Sequence, residues 1–169
     1  MGPDAHVSPN VRCYSTTISA CAREGAHAEA LGVFRNMKKD DIAPNLFTYN
    51  GMISACARTA RWQAAVSFFE EARHTVLEPD VMTYGALLSA CEKSAHWREA
   101  MLLMTDMEAN SLETSIVALS SVLSAFEKGD QWQRALGLLA TMKASIAVPD
   151  AIAYNAVISA CENCWEWVW

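Results

Sequence analysis

Apolar residues in this chain fall in two short helical stripes that return at a fixed interval. Tyr49, Met52, Ile53 and Cys56 stand at i, i+3, i+4 and i+7, the spacing that lines one face of a helix. A polar break follows, Arg58-Thr59-Ala60-Arg61, and then Trp62, Ala65, Val66 and Phe69 repeat the spacing. The pair returns as Tyr84, Leu87, Leu88 and Cys91, then Trp97, Ala100, Met101 and Met104. A further pair breaks at Gly129-Asp130, which reads as a helix stop followed by a helix start. The pairs close on Pro44-Asn45, Pro79-Asp80 and Pro149-Asp150, with Thr114-Ser115 in the equivalent place. Proline ends one helix, and Asn, Asp or Ser caps the next. The predicted unit is helix, tight turn, helix, short loop.

The interval is 35 residues. Trp62, Trp97, Trp132 and Trp167 keep it, as do Cys21, Cys56, Cys91 and Cys161, with Phe126 filling the vacant step. Tyr14, Tyr49, Tyr84 and Tyr154 follow it too, with Leu119 in register. A period of this size marks stacked supersecondary units rather than a domain with one central core. The expected fold is all-α, an α-solenoid with units 11–45, 46–80, 81–115 and 116–150 and a partial unit 151–169. Residues 1–10, with Pro3 and Pro9, fall outside the pattern and are expected to fray. Recurrent alanines such as Ala30, Ala65, Ala100 and Ala135 let helices approach closely, and the tryptophans are expected to anchor packing between helices. The partial unit has a first helix and no second one, with Trp165, Trp167 and Trp169 crowded at its end. That predicts a fragment of a longer protein or an altered end.

Composition changes this picture little: 52% hydrophobic and 19% charged residues, with few Gly and Pro, argue against disorder. No apolar run approaches the ~18 residues a bilayer span needs. Four of the six cysteines share one buried-face position, so free thiols are expected rather than disulfides. Met1 to Val11 shows neither the apolar core of a secretory leader nor the basic, acid-poor pattern of a transit peptide. Charge matters more. The net value of −6 counts against nucleic acid, whose affinity comes mainly from Lys and Arg. Yet Arg23, Arg58, Lys93 and Lys128 also recur every 35 residues near the ends of the first helices, in one file along the solenoid. Cations there serve the helix dipole or form a row of phosphate contacts. Glu92, Glu127 and Glu162 lie beside the file, and Asn163 interrupts it, which predicts weak, salt-sensitive binding.

The second unit reads LFTYNGMISACARTARWQAAVSFFEEARHTVLEPD and the third opens VMTYGALLSACEKSAHWREAM. This pattern resembles the pentatricopeptide repeat, a 35-residue helix pair with Tyr-Asn near its start, Ser-Ala-Cys in the first helix and Pro-Asp at its close. The likeness covers residues 11–169. It implies a right-handed α-α superhelix that binds single-stranded RNA, one base per unit, in a mitochondrion or chloroplast, without cofactor or membrane. It implies base choice by the fifth and last residues of each unit: Ser15 with Asn45, Asn50 with Asp80, Gly85 with Ser115, and Ser120 with Asp150, Asn155 beginning a further unit. By the family's pairing habit these favour A, U, any base and G, from the 5′ side. Capping and turn chemistry account for the same residue types. The second residues, Arg12, Phe47, Met82, Val117 and Ile152, are implied to wedge between bases. A protein–protein scaffold using the same groove is the alternative.

No catalytic constellation emerges. His27-Ala28-Glu29 and Cys161-Glu162-Asn163-Cys164 share residue types with zinc deaminases, but they lie at opposite ends of the array and lack the Pro before the first Cys. A lone Cys-x-x-Cys is a poor structural zinc site. There is no Gly-rich phosphate loop and no nucleophile elbow. The segment is not expected to be an enzyme, and neither metal nor small-molecule substrate is expected.

Overall fold

The computed structural model describes residues 10–144 and 149–163. The described chain runs α1 (Val11–Glu24), α2 (His27–Lys39), α3 (Leu46–Arg58), α4 (Trp62–His74), α5 (Val81–Lys93), α6 (Trp97–Ala109), α7 (Ile116–Lys128), α8 (Trp132–Ala144) and α9 (Ala151–Asn163). From α2 onward every helix has 13 residues, and the helix starts keep the 35-residue step. The fold is an all-α solenoid, as the periodicity predicts. The tryptophans at 165, 167 and 169 and the second cysteine of the Cys-x-x-Cys lie outside the described residues.

The caps explain why the helices start in phase. Asn10, Asn45, Asp80 and Ser115 each hold an extended backbone and accept the N–H of the residue three places on. At the head of α9 the Asp150 Oδ1 accepts the Ala153 N–H at 2.9 Å. Asn10 thus belongs to the array, although it precedes the first repeating residue. The second helices α2, α4 and α6 follow Ala26, Arg61 and His96, none of which supplies a side-chain cap. Their geometry comes from the preceding turn. Arg61 N–H reaches back to the Cys56 carbonyl at 3.0 Å, and His96 N–H to that of Cys91 at 2.9 Å. A bond spanning five residues needs a left-handed residue inside it. Gly25, Ala60, Ala95 and Asp130 fill that place, at φ 73, 53, 57 and 55. Gly129, which reads as the helix stop, is therefore not the left-handed residue of its turn; Asp130 is.

The odd-numbered helices pack on one another in sequence, α1 on α3, α3 on α5, α5 on α7 and α7 on α9. Each even-numbered helix packs on its own partner and on the next odd one. Among the described residues the even helices make no close backbone approach to one another. Closer spacing along one row curves the stack toward it, so the odd helices line the concave side. The core is a strip between the two rows, with Ile53, Leu87, Leu88, Val122 and Leu123 fully buried. Trp62 stacks at 4.3 Å between ring centroids on His96 of the following unit, and Trp97 lies 6.3 Å from Phe126. Trp62 and Trp97 do join unit to unit. Cys56 and Cys91 are buried free thiols, and burial first of all pushes them up, to about 11 and about 12.

The outer row carries its own polar contacts. Lys38 of α2 pairs with Glu71 of α4, which also accepts the Tyr49 hydroxyl at 2.8 Å. One unit on, Arg73 lies 3.6 Å from Asp106, which accepts the Tyr84 hydroxyl at 2.6 Å. In the next step Glu108 and Thr141 occupy the corresponding places, and no ion pair joins α6 to α8 among the described residues.

Candidate nucleic-acid interface

The concave face holds a groove of about 800 Å³ that gathers residues from three consecutive units. Its lining includes Phe47 and Met82, Asn50 and Asp80, and Arg23, Arg58 and Lys93. Residues implied to stack, to read bases and to hold phosphates thus line one continuous surface. The reason is helical arithmetic. The fifth, ninth and thirteenth places of a unit follow one another at i+4, so they form one stripe of the first helix. Ser19, Ser54 and Ser89 hold the ninth place and line the groove between the other two. The wedge file stands free: Phe47, Met82, Val117 and Ile152 are 54%, 73%, 73% and 60% exposed, and Arg12 is exposed too. Apolar side chains this accessible, in one row and one per unit, offer faces to flat ligands.

The reading residues occupy different environments. Asn50 is half-buried, and its Nδ2 donates to Asp80 Oδ1 at 3.3 Å. The Thr83 hydroxyl lies 2.7 Å from Asn50 Oδ1 and 2.8 Å from Asp80 Oδ1, and it accepts the Asp80 N–H at 3.2 Å. Asp80 Oδ1 accepts the Thr83 N–H at 2.8 Å. Burial alone would raise the Asp80 carboxyl. Bonds from Thr83, Asn50 and the Met82 N–H outweigh it and hold the group below its ordinary value, ionised. In the first unit Ser15 is only 2% exposed, and its hydroxyl sits 2.7 Å from that of Thr48. Thr48 in turn donates to Asn45 Oδ1 at 2.8 Å. Ser15 therefore provides room above it, while the exposed Asn45 can be touched. Ser120 is also buried, and its hydroxyl reaches Asp150 only at 3.5 Å, the outer limit of a hydrogen bond. Gly85 leaves open space, and Ser115 is occupied in capping α7. Asn155 is exposed at the edge of the described array.

Asp80 both caps α5 and bonds Asn50. Sequence reasoning missed Thr48 and Thr83, fully buried third residues of their units. The signal was present in the recurring Thr-Tyr, Thr48-Tyr49 and Thr83-Tyr84, and in the Asn or Asp three places earlier, half of a capping box.

The cation file is uneven. Arg23, Arg58 and Lys93 make no ion pair among the described residues, whereas Lys128 lies 3.2 Å from Glu92. Glu24 follows Arg23, and Glu92 and Glu127 precede Lys93 and Lys128, whereas Arg58 stands between Ala57 and Thr59. Among the described residues no cluster of His, Cys, Asp and Glu could hold a metal, and no helix is long and apolar enough to cross a membrane.

Comparison with known proteins agrees with this geometry. The PPR repeat family matches residues 9–58, the pentatricopeptide repeat domain residues 48–94 and 102–163, and the PPR repeat residues 82–112. No curated protein sequence matches. The pentatricopeptide repeat protein PPR10, in complex with an 18-nt psaJ RNA element, is similar at 28% identity and a TM-score of 0.79. The match covers 98% of this chain and 24% of that one. The pentatricopeptide repeat protein PPR10 from maize matches with a TM-score of 0.81 at 19% identity, over 94% of this chain and 23% of that one. The PPR domain of Arabidopsis thaliana protein-only RNase P 1, in complex with tRNA, matches in fold at 15% identity and a TM-score of 0.76, over 89% and 80% of the two chains. This chain spans about a quarter of the length of PPR10. From the repeat period, the solenoid and the family matches over most of its length, this chain belongs to the pentatricopeptide repeat family.

Proposed function

We propose that this array binds single-stranded RNA in its concave groove, one base per unit, and acts in organelle RNA processing, stability or translation without catalysis of its own. The observation that carries the reading is the groove itself, where Asn50 with Asp80, Phe47 with Met82, and Arg23, Arg58 and Lys93 face one space. Bases would lie between the apolar wedges, their edges toward the fifth and last residues, with phosphates along the cation file. Stacking contributes about 1–3 kcal/mol per base, and ordering a flexible strand offsets part of it. The described RNA complex of PPR10, the similar chain, supports the same ligand class. The preferred order is 5′-A-U-N-G-3′, with the third unit blind because Gly85 offers no side chain.

A titration of 5′-AUNG-containing and scrambled RNAs across a salt series tests this. Tighter binding of the first, weakening steeply with salt, is expected. Equal binding of both removes the base code and leaves RNA binding. Binding of neither at low salt overturns the RNA reading and leaves a protein-binding scaffold, which the net charge of −6 and the blind third unit favour.

A further inference from the structure

We infer that Thr83 is a positioning residue for base choice in the second unit: its hydroxyl locks the Asn50 carboxamide in one of its two flipped orientations. The inference rests on the RNA-binding reading above. A carboxamide is nearly symmetric in shape and opposite in chemistry at its two ends, one a donor and one an acceptor. U and C differ in the same way. They share a shape, but U offers an acceptor oxygen where C offers a donor amine. An Asn free to flip satisfies either base, so a fixed orientation is what separates them.

The geometry fixes it through a single proton. Thr83 Oγ1 stands 2.7 Å from Asn50 Oδ1 and 2.8 Å from Asp80 Oδ1, and one hydroxyl donates to one acceptor at a time. When it donates to Asn50 Oδ1, the Asn50 Nδ2 faces Asp80 Oδ1 at 3.3 Å, an N–H on a carboxylate. When it donates to Asp80 instead, the carboxamide must turn, and its oxygen then meets the ionised carboxylate across the same gap. The first arrangement pairs every donor with an acceptor, and the second sets lone pairs against charge. Thr83 is fully buried, so water does not compete for its proton. The Asp80 N–H, which donates to Thr83 Oγ1, holds the hydroxyl oxygen in place.

The relay is local. Thr48 repeats it between Ser15 and Asn45. In the later units Ala118 and Ala153 stand where the threonines would be, and Ser120 meets Asp150 only at 3.5 Å. Base choice is therefore sharpest in the first two units.

The test compares two RNAs that differ only by U or C at the second place of 5′-AUNG, against wild type, Thr83→Val and Thr83→Ser. Thr83→Val is expected to lower the U-over-C preference about fivefold, the factor one net hydrogen bond carries. Thr83→Ser is expected to keep it, and G-over-A preference at the fourth place is expected to stay the same in both. A Thr83→Val protein that binds RNA with its U-over-C preference intact overturns the inference. A second readout needs neither RNA nor the variant. In NMR spectra of the free wild-type protein, the Thr83 hydroxyl proton is expected in slow exchange with water. A hydroxyl exchanging as freely as an exposed threonine overturns the inference even if wild type binds neither RNA, an outcome that by itself overturns the RNA reading.

Discussion

Val76 holds φ 60 with its side chain 88% exposed, so a β-branched residue sits in the left-handed region with no burial to offset the strain. Val76→Gly is expected to stabilise the chain by about 1 kcal/mol, the steric relief exceeding the extra freedom of the unfolded chain. Urea denaturation checks this, and a lower midpoint with an unchanged slope would show the strain to be absent. Gly25, Asp41 and Asp130 are of types that take the left-handed region readily. Ala60, Ala95 and Val76 are there because the hydrogen-bonded turn between two phased helices requires the conformation, whichever residue stands in it. His27 is another residue whose surroundings decide its behaviour. It takes the place that Trp holds in later units, 3.6 Å from the Cys56 sulfur. Burial, then the charge of Arg61, lowers it below its ordinary value of 6.5. The unfolded chain thus binds the proton more readily than the folded one. This contribution to stability is complete above that value and is lost as pH falls through it. Denaturation midpoints are expected to drop from about pH 7.5 to about pH 5.5, and His27→Gln is expected to flatten that stretch of the curve.

Helices and turns meet at tolerances that the periodic pattern does not display. Gly129 lies against the Trp97 ring, which a Cβ at that place would strike. Gly32, in α2, has open space around it. Gly129→Ala is expected to cost about 1–3 kcal/mol through overpacking. Gly32→Ala is expected to stabilise by about 0.5–1 kcal/mol through helix propensity. Calorimetric melting of the two variants side by side distinguishes them, and equal shifts would mean that Trp97 simply moves aside. The alternation of helices and their 35-residue phase were legible, because both depend on local spacing and on caps three residues apart. The approach of Trp97 to Gly129 was not, since it joins residues 32 positions apart in sequence and depends on how one unit settles on the next. The same holds for Lys38 with Glu71 and Arg73 with Asp106, whose partners lie a unit away.

Across the whole molecule the sequence carries more of the candidate interface than its net charge of −6 suggests. The file of Arg23, Arg58, Lys93 and Lys128 is visible as a period, and so are the wedge residues. Which cations remain available is a matter of tertiary placement. Glu92 reaches across to Lys128, one unit on, at 3.2 Å. Glu92→Gln is expected to release Lys128 to the groove. If RNA binds there, the logarithmic salt dependence of its affinity steepens by about 0.7, one single-strand phosphate contact. A slope unchanged between the two proteins would place Lys128 outside the phosphate path. Thr48 and Thr83 stayed unread for a related reason. Their hydroxyls matter only through the preceding unit's fifth residue, and nothing within a single repeat says that the neighbour will lie there.

The break in the outer row of ion pairs has a mechanical consequence. Lys38 with Glu71 and Arg73 with Asp106 strap the first three units together along the convex edge, while Glu108 and Thr141 leave the next junction unstrapped. A curved stack bound on its inner side opens by spreading its outer side, so compliance collects where no strap resists. On the convex edge that third junction has no ion pair to lose on opening among the described residues, while Glu92 with Lys128 still spans its inner side at 3.2 Å, so any spreading there turns about the inner row.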